Sequence, residues 1–214
     1  MDSANLPHAL RCGILLTLLK QLIYPTIEYN SVLWSPTSQP LIDLLESVQN
    51  NFLKKISSPL HDGSDYWDRL QFFKLYSLER RRERYAIIYA WKVIHGLYPN
   101  PGLHLNRNTE DHTTHPNEGI NIGLDRNGLS AHHNAELPKW LEDKCVLQKC
   151  CNLYNCLPPD LKRPIEEDEE PSLDKFKTAL DKWLTTIPDR PDVPTRAKVS
   201  KSNSILHQIE YRFK

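Results

Sequence analysis

The chain has little glycine, seven residues against sixteen prolines, and a single methionine in 214 residues. Neither G-x-G-x-x-G nor the P-loop pattern occurs, so no glycine loop is available to cradle a nucleotide phosphate. H-E-x-x-H, C-x-x-C and adjacent aspartates are also missing. The last absence removes the Asp-Asp element that a two-metal polymerase centre needs. No sign of charge dominates: Lys plus Arg and Asp plus Glu are each 27, and net charge makes no case for nucleic acid. The longest apolar run, Gly13–Leu19, is too short to span a bilayer and is interrupted by Lys20 and Gln21. It also lacks the basic start and small-residue cleavage site of a signal peptide. Five cysteines, an odd number without a secretion signal, favour reduced thiols. The expectation is an intracellular protein, cytoplasmic or nuclear, with no membrane partner.

Helical periodicity fills the first hundred residues. Leu15, Leu18, Leu19, Leu22 and Ile23 form one stripe over residues 8–24, which Pro25 ends or kinks. Residues 25–40 are turn-rich. From Pro40 to Ile56, Leu41, Leu44, Leu45, Val48, Phe52 and Leu53 recur at three- and four-residue steps, with Pro40 suited to a first helical turn. Asp65–Lys74 predicts a short helix and Ser77–His95 a long one. Residues 1–99 therefore read as a small helical bundle.

Residues 100–137 are polar, rich in Asn and His, and hold four of the seven glycines. Leu103–Leu105 and Ile120–Ile122 alternate briefly as short strands would. Residues 138–187 predict a helical extension: one helix from about Pro138 to Leu157, stopped by Pro158-Pro159, and one over Ser172–Thr185. The latter puts Leu173, Phe176, Leu180, Trp183 and Leu184 on one face. The prolines cluster after Pro158, and residues 188–214 read as an extended or disordered tail.

The richest stretch is Tyr76–Asn100, YSLERRRERYAIIYAWKVIHGLYPN, where a Ser cap and a basic turn lead into an apolar-aromatic run closed by Gly96 and Pro99. Arg80, Arg81, Arg82 and Arg84 read either as a solvated face paired with Glu79 and Glu83 or as phosphate contacts. Guanidinium forks bind anions bidentately. Cys145, Cys150, Cys151 and Cys156 are poorly spaced for zinc, since on a helix Cys150 and Cys151 turn away from the face shared by Cys145 and Cys156. His112, His115, His132 and His133 read as solvated loop residues. No metal or other cofactor is expected. The five tryptophans each sit in an apolar pattern and read as core.

Three segments together carry a resemblance. LIYPTIEYNSVLWSP (22–36) and LIDLLESVQNNFLKKI (41–56) hold a P-x-x-E-Y-x-x-x-x-W-x-P element, Pro25, Glu28, Tyr29, Trp34 and Pro36. A helix bearing Leu45, Glu46, Val48, Gln49, Phe52 and Ile56 follows. Tyr76–Asn100 gives an L-x-RRR-x-R helix before a G-x-x-P-N turn. NLYNCLPPDL (152–161) and SLDKFKTALDKWLTTIPDRPDVP (172–194) give an N-x-W-N-x-LP-like element, with Tyr154 in the Trp position, and an F-K-x-x-LD-x-x-L helix. In this order they resemble the region beyond the catalytic core of non-LTR (LINE-like) retrotransposon reverse transcriptases.

The resemblance implies a mainly α fold: a thumb-like bundle followed by a loop-rich extension with further helices. The palm carboxylates lie upstream of this region in the family, so fingers, palm and any endonuclease domain are not expected here. DNA synthesis by this chain alone is not expected either. An initiator Met directly before the match reads as a truncated element copy or an open reading frame cut from one. A thumb packs on primer-template duplex, which implies an RNA–DNA duplex or RNA as partner, with Arg80, Arg81, Arg84 and Lys92 on phosphates and Lys54 and Lys55 as lesser contacts. The alternative is a non-catalytic protein-interaction module, or a relic, whose exposed apolar helix faces meet a palm domain or another protein.

Overall fold

The computed structural model describes residues 8–57, 64–99, 103–106, 121–124, 146–162, 172–191 and 202–212. The fold is mainly α. The chain divides into two compact units, residues 1–82 and 83–214, and the division falls inside the long arginine-rich helix rather than at residue 99.

Unit 1 opens with α1 (His8–Leu18), a π-helical turn (Leu19–Ile23) and α2 (Tyr24–Glu28). Pro25 does not end this helix, which runs on to Glu28. Proline has no N–H to donate, and the ladder is already re-spaced just before it, where the Tyr24 N–H bonds the Leu19 carbonyl. The result is one helix, Leu10–Glu28, whose 19 residues and mean hydropathy of 1.2 meet the length and composition needed to cross a membrane, although the run of apolar residues in sequence is short. After Asn30, in the left-handed region at φ 50°, come α3 (Ser31–Trp34) and α4 (Gln39–Ser57). The turn-rich reading of 25–40 thus includes two helical pieces.

Helix α5 (Tyr66–Phe72) starts with a reciprocal cap, Asp65 accepting from the Asp68 N–H while Asp68 accepts from the Asp65 N–H. Leu19, Tyr24, Leu53, Leu70, Leu75 and Leu78 close the core of this unit.

Helix α6 (Leu78–Ile94) starts in unit 1 and continues in unit 2. It stops where sequence reading places the stop. Gly96 takes φ 71°, its N–H reaches the Val93 carbonyl, and the Leu97 N–H reaches the Lys92 carbonyl at 2.9 Å.

Unit 2 then holds an antiparallel pair, β1 (Leu103–Asn106) and β2 (Asn121–Leu124), in register Leu103↔Leu124 to Asn106↔Asn121. Its remaining helices are α7 (Val146–Asn155), α8 (Pro159–Lys162), α9 (Leu173–Leu184) and α10 (Ile205–Arg212). Buried Leu153, Leu157, Leu180, Leu184 and Ile187 belong to this unit, and Trp91 stacks on Phe176 at 5.0 Å between ring centroids.

The tail expected to be disordered corrects in one place. Residues 205–212 form α10, whose Ile205 is fully buried. Prolines and polar residues from 188 to 200 set the composition of that segment, and they hide the short stripe Ile205, Leu206, Ile209 behind them.

Candidate functional site

The start of α6 is built from three directions. Its first N–H groups have no partner within the helix. The Ser77 hydroxyl, as read from sequence, accepts from the Arg80 N–H at 3.1 Å. Glu46 on α4, 32 residues away, accepts from the Leu78 N–H at 3.1 Å and the Glu79 N–H at 2.7 Å, and also from the Tyr66 hydroxyl at 2.5 Å. Gln49, one turn further along α4, donates to the Tyr76 carbonyl at 3.1 Å. Burial raises Glu46 above the usual carboxylate range, outweighing the help given by Tyr66, the two amides and the Arg82 charge.

The arginines that follow are not arrayed on one open face. Arg80 is fully buried, which removes it from the phosphate contacts expected of it. The spacing alone could not reveal this: Ser77 and Glu46 turn the first helical turn inward, and Arg80 goes with it.

Arg81 closes its fork on Glu28, with Nε to Oε1 and NH2 to Oε2 at 2.9 Å, and its guanidinium lies 4.0 Å from the centre of the Tyr24 ring. The Glu28 side chain is 7% exposed and that of Arg81 24%, so the pair is partly buried on its carboxylate side. Burial, opposed by Arg81, drives the Tyr24 hydroxyl well above its ordinary range.

Arg84, in unit 2, makes the same bidentate fork with Asp181 on α9 at 2.5 and 2.8 Å. Lys92 donates to the Tyr98 hydroxyl at 3.0 Å and sits 4.6 Å from that ring's centre. Of the six residues expected on phosphates, Lys54 and Lys55 alone are exposed, in the last turn of α4. The two arginine forks grip carboxylates of this chain.

The residues that sequence reading missed are those acceptors: Glu28, Glu46 and Asp181. Glu28 and Glu46 stood within the motif elements, and their signal was an acidic residue facing an apolar stripe, which is costly unless it is paired. Among the described residues, no group of three His, Cys, Asp or Glu side chains is placed to hold a metal. Cys150 and Cys151 are buried thiols outside any disulfide, whereas Cys145, His112, His115, His132 and His133 lie outside the described residues.

What unit 1 does present is apolar. Leu10, Ile14, Leu18 and Leu22, at four-residue steps, are 41–62% exposed along the first helix. Leu41, Leu44 and Val48 form a second exposed stripe on α4, and Tyr29, Leu33 and Trp34 are exposed between the two. Periodicity groups Leu18, Leu22, Leu41, Leu44 and Val48 with the residues that do reach the core. The core takes only part of each stripe, Leu19 and Ile23 on the first helix and Leu45, Phe52 and Leu53 on α4, where Ile42, Glu46 and Gln49 are buried beside them. The chain matches no family model, no curated protein and no solved structure.

Proposed function

We propose that the chain is the thumb and post-thumb part of a non-LTR retrotransposon reverse transcriptase, an RNA-directed DNA polymerase, and that it acts there as a non-catalytic docking element. The parent is supported by the resemblance of three segments in order. The docking role is supported by the two exposed apolar stripes of unit 1, the observation that carries this reading. Apolar residues exposed along successive turns of a helix suit a protein-interaction surface. In a thumb, the natural occupant is the palm domain.

Backbone-directed binding of RNA–DNA duplex is a minor activity in this reading. Arg81 and Arg84 are engaged by Glu28 and Asp181, which leaves Lys54 and Lys55, with Lys92, to meet phosphates.

Fluorescence anisotropy against an RNA–DNA hybrid between about 50 and 200 mM salt separates the two roles, because two or three phosphate contacts give a log–log slope of about −2 to −3. The expected result is weak duplex binding with that shallow slope. A catalytic core with fingers and palm from a reverse transcriptase of this class should bind the chain with little salt dependence, and Ile14→Asp with Leu44→Asp should abolish that binding. Tight duplex binding with a steep slope, lost in Arg81→Ala with Arg84→Ala, would overturn the docking role in favour of backbone grip. Failure of the palm to bind a folded chain would leave the apolar stripes to another protein partner.

A further inference from the structure

Helix α10 is held in unit 2 by contacts that read its sequence. Glu83, fully buried on α6, divides its carboxylate between two groups at the start of α10. One oxygen accepts from the Ser204 hydroxyl at 2.6 Å and the other from the Ile205 N–H at 2.7 Å. Just before the helix, the Asn203 amide donates to Asp189 at 2.5 Å. Within its first turn, the Gln208 amide donates to the Arg190 carbonyl at 3.0 Å. Asn203, Ile205 and Gln208 are all buried, and α10 lies against α7.

Each anchor asks for a different chemistry. The carboxylate wants a hydroxyl and a helix N-terminus, Asp189 wants an amide donor, the Arg190 carbonyl wants a second amide one turn on, and the buried site between them wants an aliphatic side chain. The apolar grip on α10 is slight by comparison. Ile205 is its one fully buried aliphatic residue among those described, while Leu206, His207 and Ile209 are partly exposed. Helix α9 differs, burying Phe176, Leu180 and Leu184 as a continuous stripe. An element anchored mainly by polar contacts at one end opens locally at lower cost than the core opens globally.

We propose that Glu83, Asp189, the Arg190 carbonyl and α7 form a binding site for a short helical peptide of the pattern Asn-Ser-aliphatic-x-x-Gln. In this chain α10 fills the site in cis, as a strap that can leave it. This inference does not depend on the parent assigned above.

Hydrogen-exchange mass spectrometry on the unaltered protein tests the strap. Amides of residues 205–212 should exchange at least tenfold faster than those of α9, and exchange in step with α9 would overturn the proposal. A second test uses Ile205→Asp to expel α10, with a fluorescent peptide of residues 201–214 as the probe. That peptide should bind the variant at least tenfold more tightly than the parent, and the gain should vanish when Glu83→Gln is added. Loss of the helical circular-dichroism signal in Ile205→Asp would make α10 part of the core and sink the strap. A folded variant that ignores the peptide would sink the site.

Discussion

The two units treat their apolar residues differently. Unit 1 leaves Leu10, Ile14, Leu18, Leu22, Leu41, Leu44 and Val48 in solvent, together with Tyr29, Leu33, Trp34 and Phe72; among the described residues of unit 2, only Leu97 and Tyr98 are large, apolar and exposed. Yet both use one polar device, in which a buried glutamate crosses from one helix to cap another: Glu46 caps α6 in unit 1, and Glu83 caps α10 in unit 2. The lesson is that Glu28, Glu46, Arg81, Glu83 and Arg84 serve the fold, while the exposed large apolar residues among those described concentrate in unit 1.

The sharpest way to break that picture is Glu46→Ala. It leaves the Leu78 and Glu79 amides and the Tyr66 hydroxyl without their buried acceptor, and should cost about 3 kcal/mol in urea unfolding. A cost near zero would mean that Glu46 does not hold α6.

Next come the two arginine forks. Arg81→Ala removes the guanidinium fork from the nearly buried Glu28 carboxylate and the contact over Tyr24, for a loss of about 2 kcal/mol. Arg84→Ala releases Asp181, which is 45% exposed, and should cost about 1 kcal/mol or less after solvent screening. Equal losses would erase the distinction between a sheltered carboxylate, Glu28, and an exposed one, Asp181.

Helix ends supply a smaller contrast of opposite sign. Lys74 follows α5 in the left-handed region at φ 51°, where its N–H meets the Gln71 carbonyl and the Leu75 N–H meets the Leu70 carbonyl. Gly96 occupies the matching position after α6. Lys74→Gly should therefore stabilise by about 1 kcal/mol and Gly96→Ala destabilise by about as much, since a Cβ at Gly96 meets nothing within 4 Å and backbone strain is the whole effect. Thermal melts of the two variants should move in opposite directions. Leu18→Ser and Leu44→Ser, on exposed stripes, should change stability by less than about 0.5 kcal/mol while weakening partner binding. A large stability loss would place those leucines in the core.

The pH response gives the subtlest contrast. Burial holds Glu46 above its ordinary 4.5, so its contribution is full below that value and is lost as pH rises through the folded one. His95, packed on Trp91 at 4.2 Å, is held by burial below its ordinary 6.5. Its contribution is full above 6.5 and is lost as pH falls through the folded value. Acidification should thus work against the fold through His95 and for it through Glu46. Melts across that range should lose the first trend in His95→Phe and the second in Glu46→Gln.

Much of the scaffold was legible. Hydrophobic period located α4, α5, α6 and α9, and Ser77 and Gly96 marked the ends of α6. Short alternation found β1 and β2 within one residue or two. Three things were not legible. Which part of a broad apolar stripe faces inward depends on neighbours that periodicity does not name, so it does not separate exposed Leu18 and Leu44 from buried Leu19 and Leu53. Charge runs do not disclose their partners, and Arg81 and Arg84 find theirs 53 and 97 residues away. A stripe of three apolar residues in α10 falls below what a window can detect when its anchors are supplied by α6 and by residues 189–190.

The capping of α6 by Glu46 also bears on the order of assembly. Ser77 is the local cap and reaches the Arg80 N–H; the two before it, Leu78 and Glu79, are met by Glu46, 32 and 33 positions upstream. The body of α6 can nucleate early from its own apolar sequence. Its first turn is complete only after a loop of some thirty residues closes and α4 docks, so the entropy of that closure falls on the step that joins α4, α5 and α6. Substitutions at Glu46 should accordingly slow refolding if that junction forms in the transition state, and speed unfolding if it forms after it.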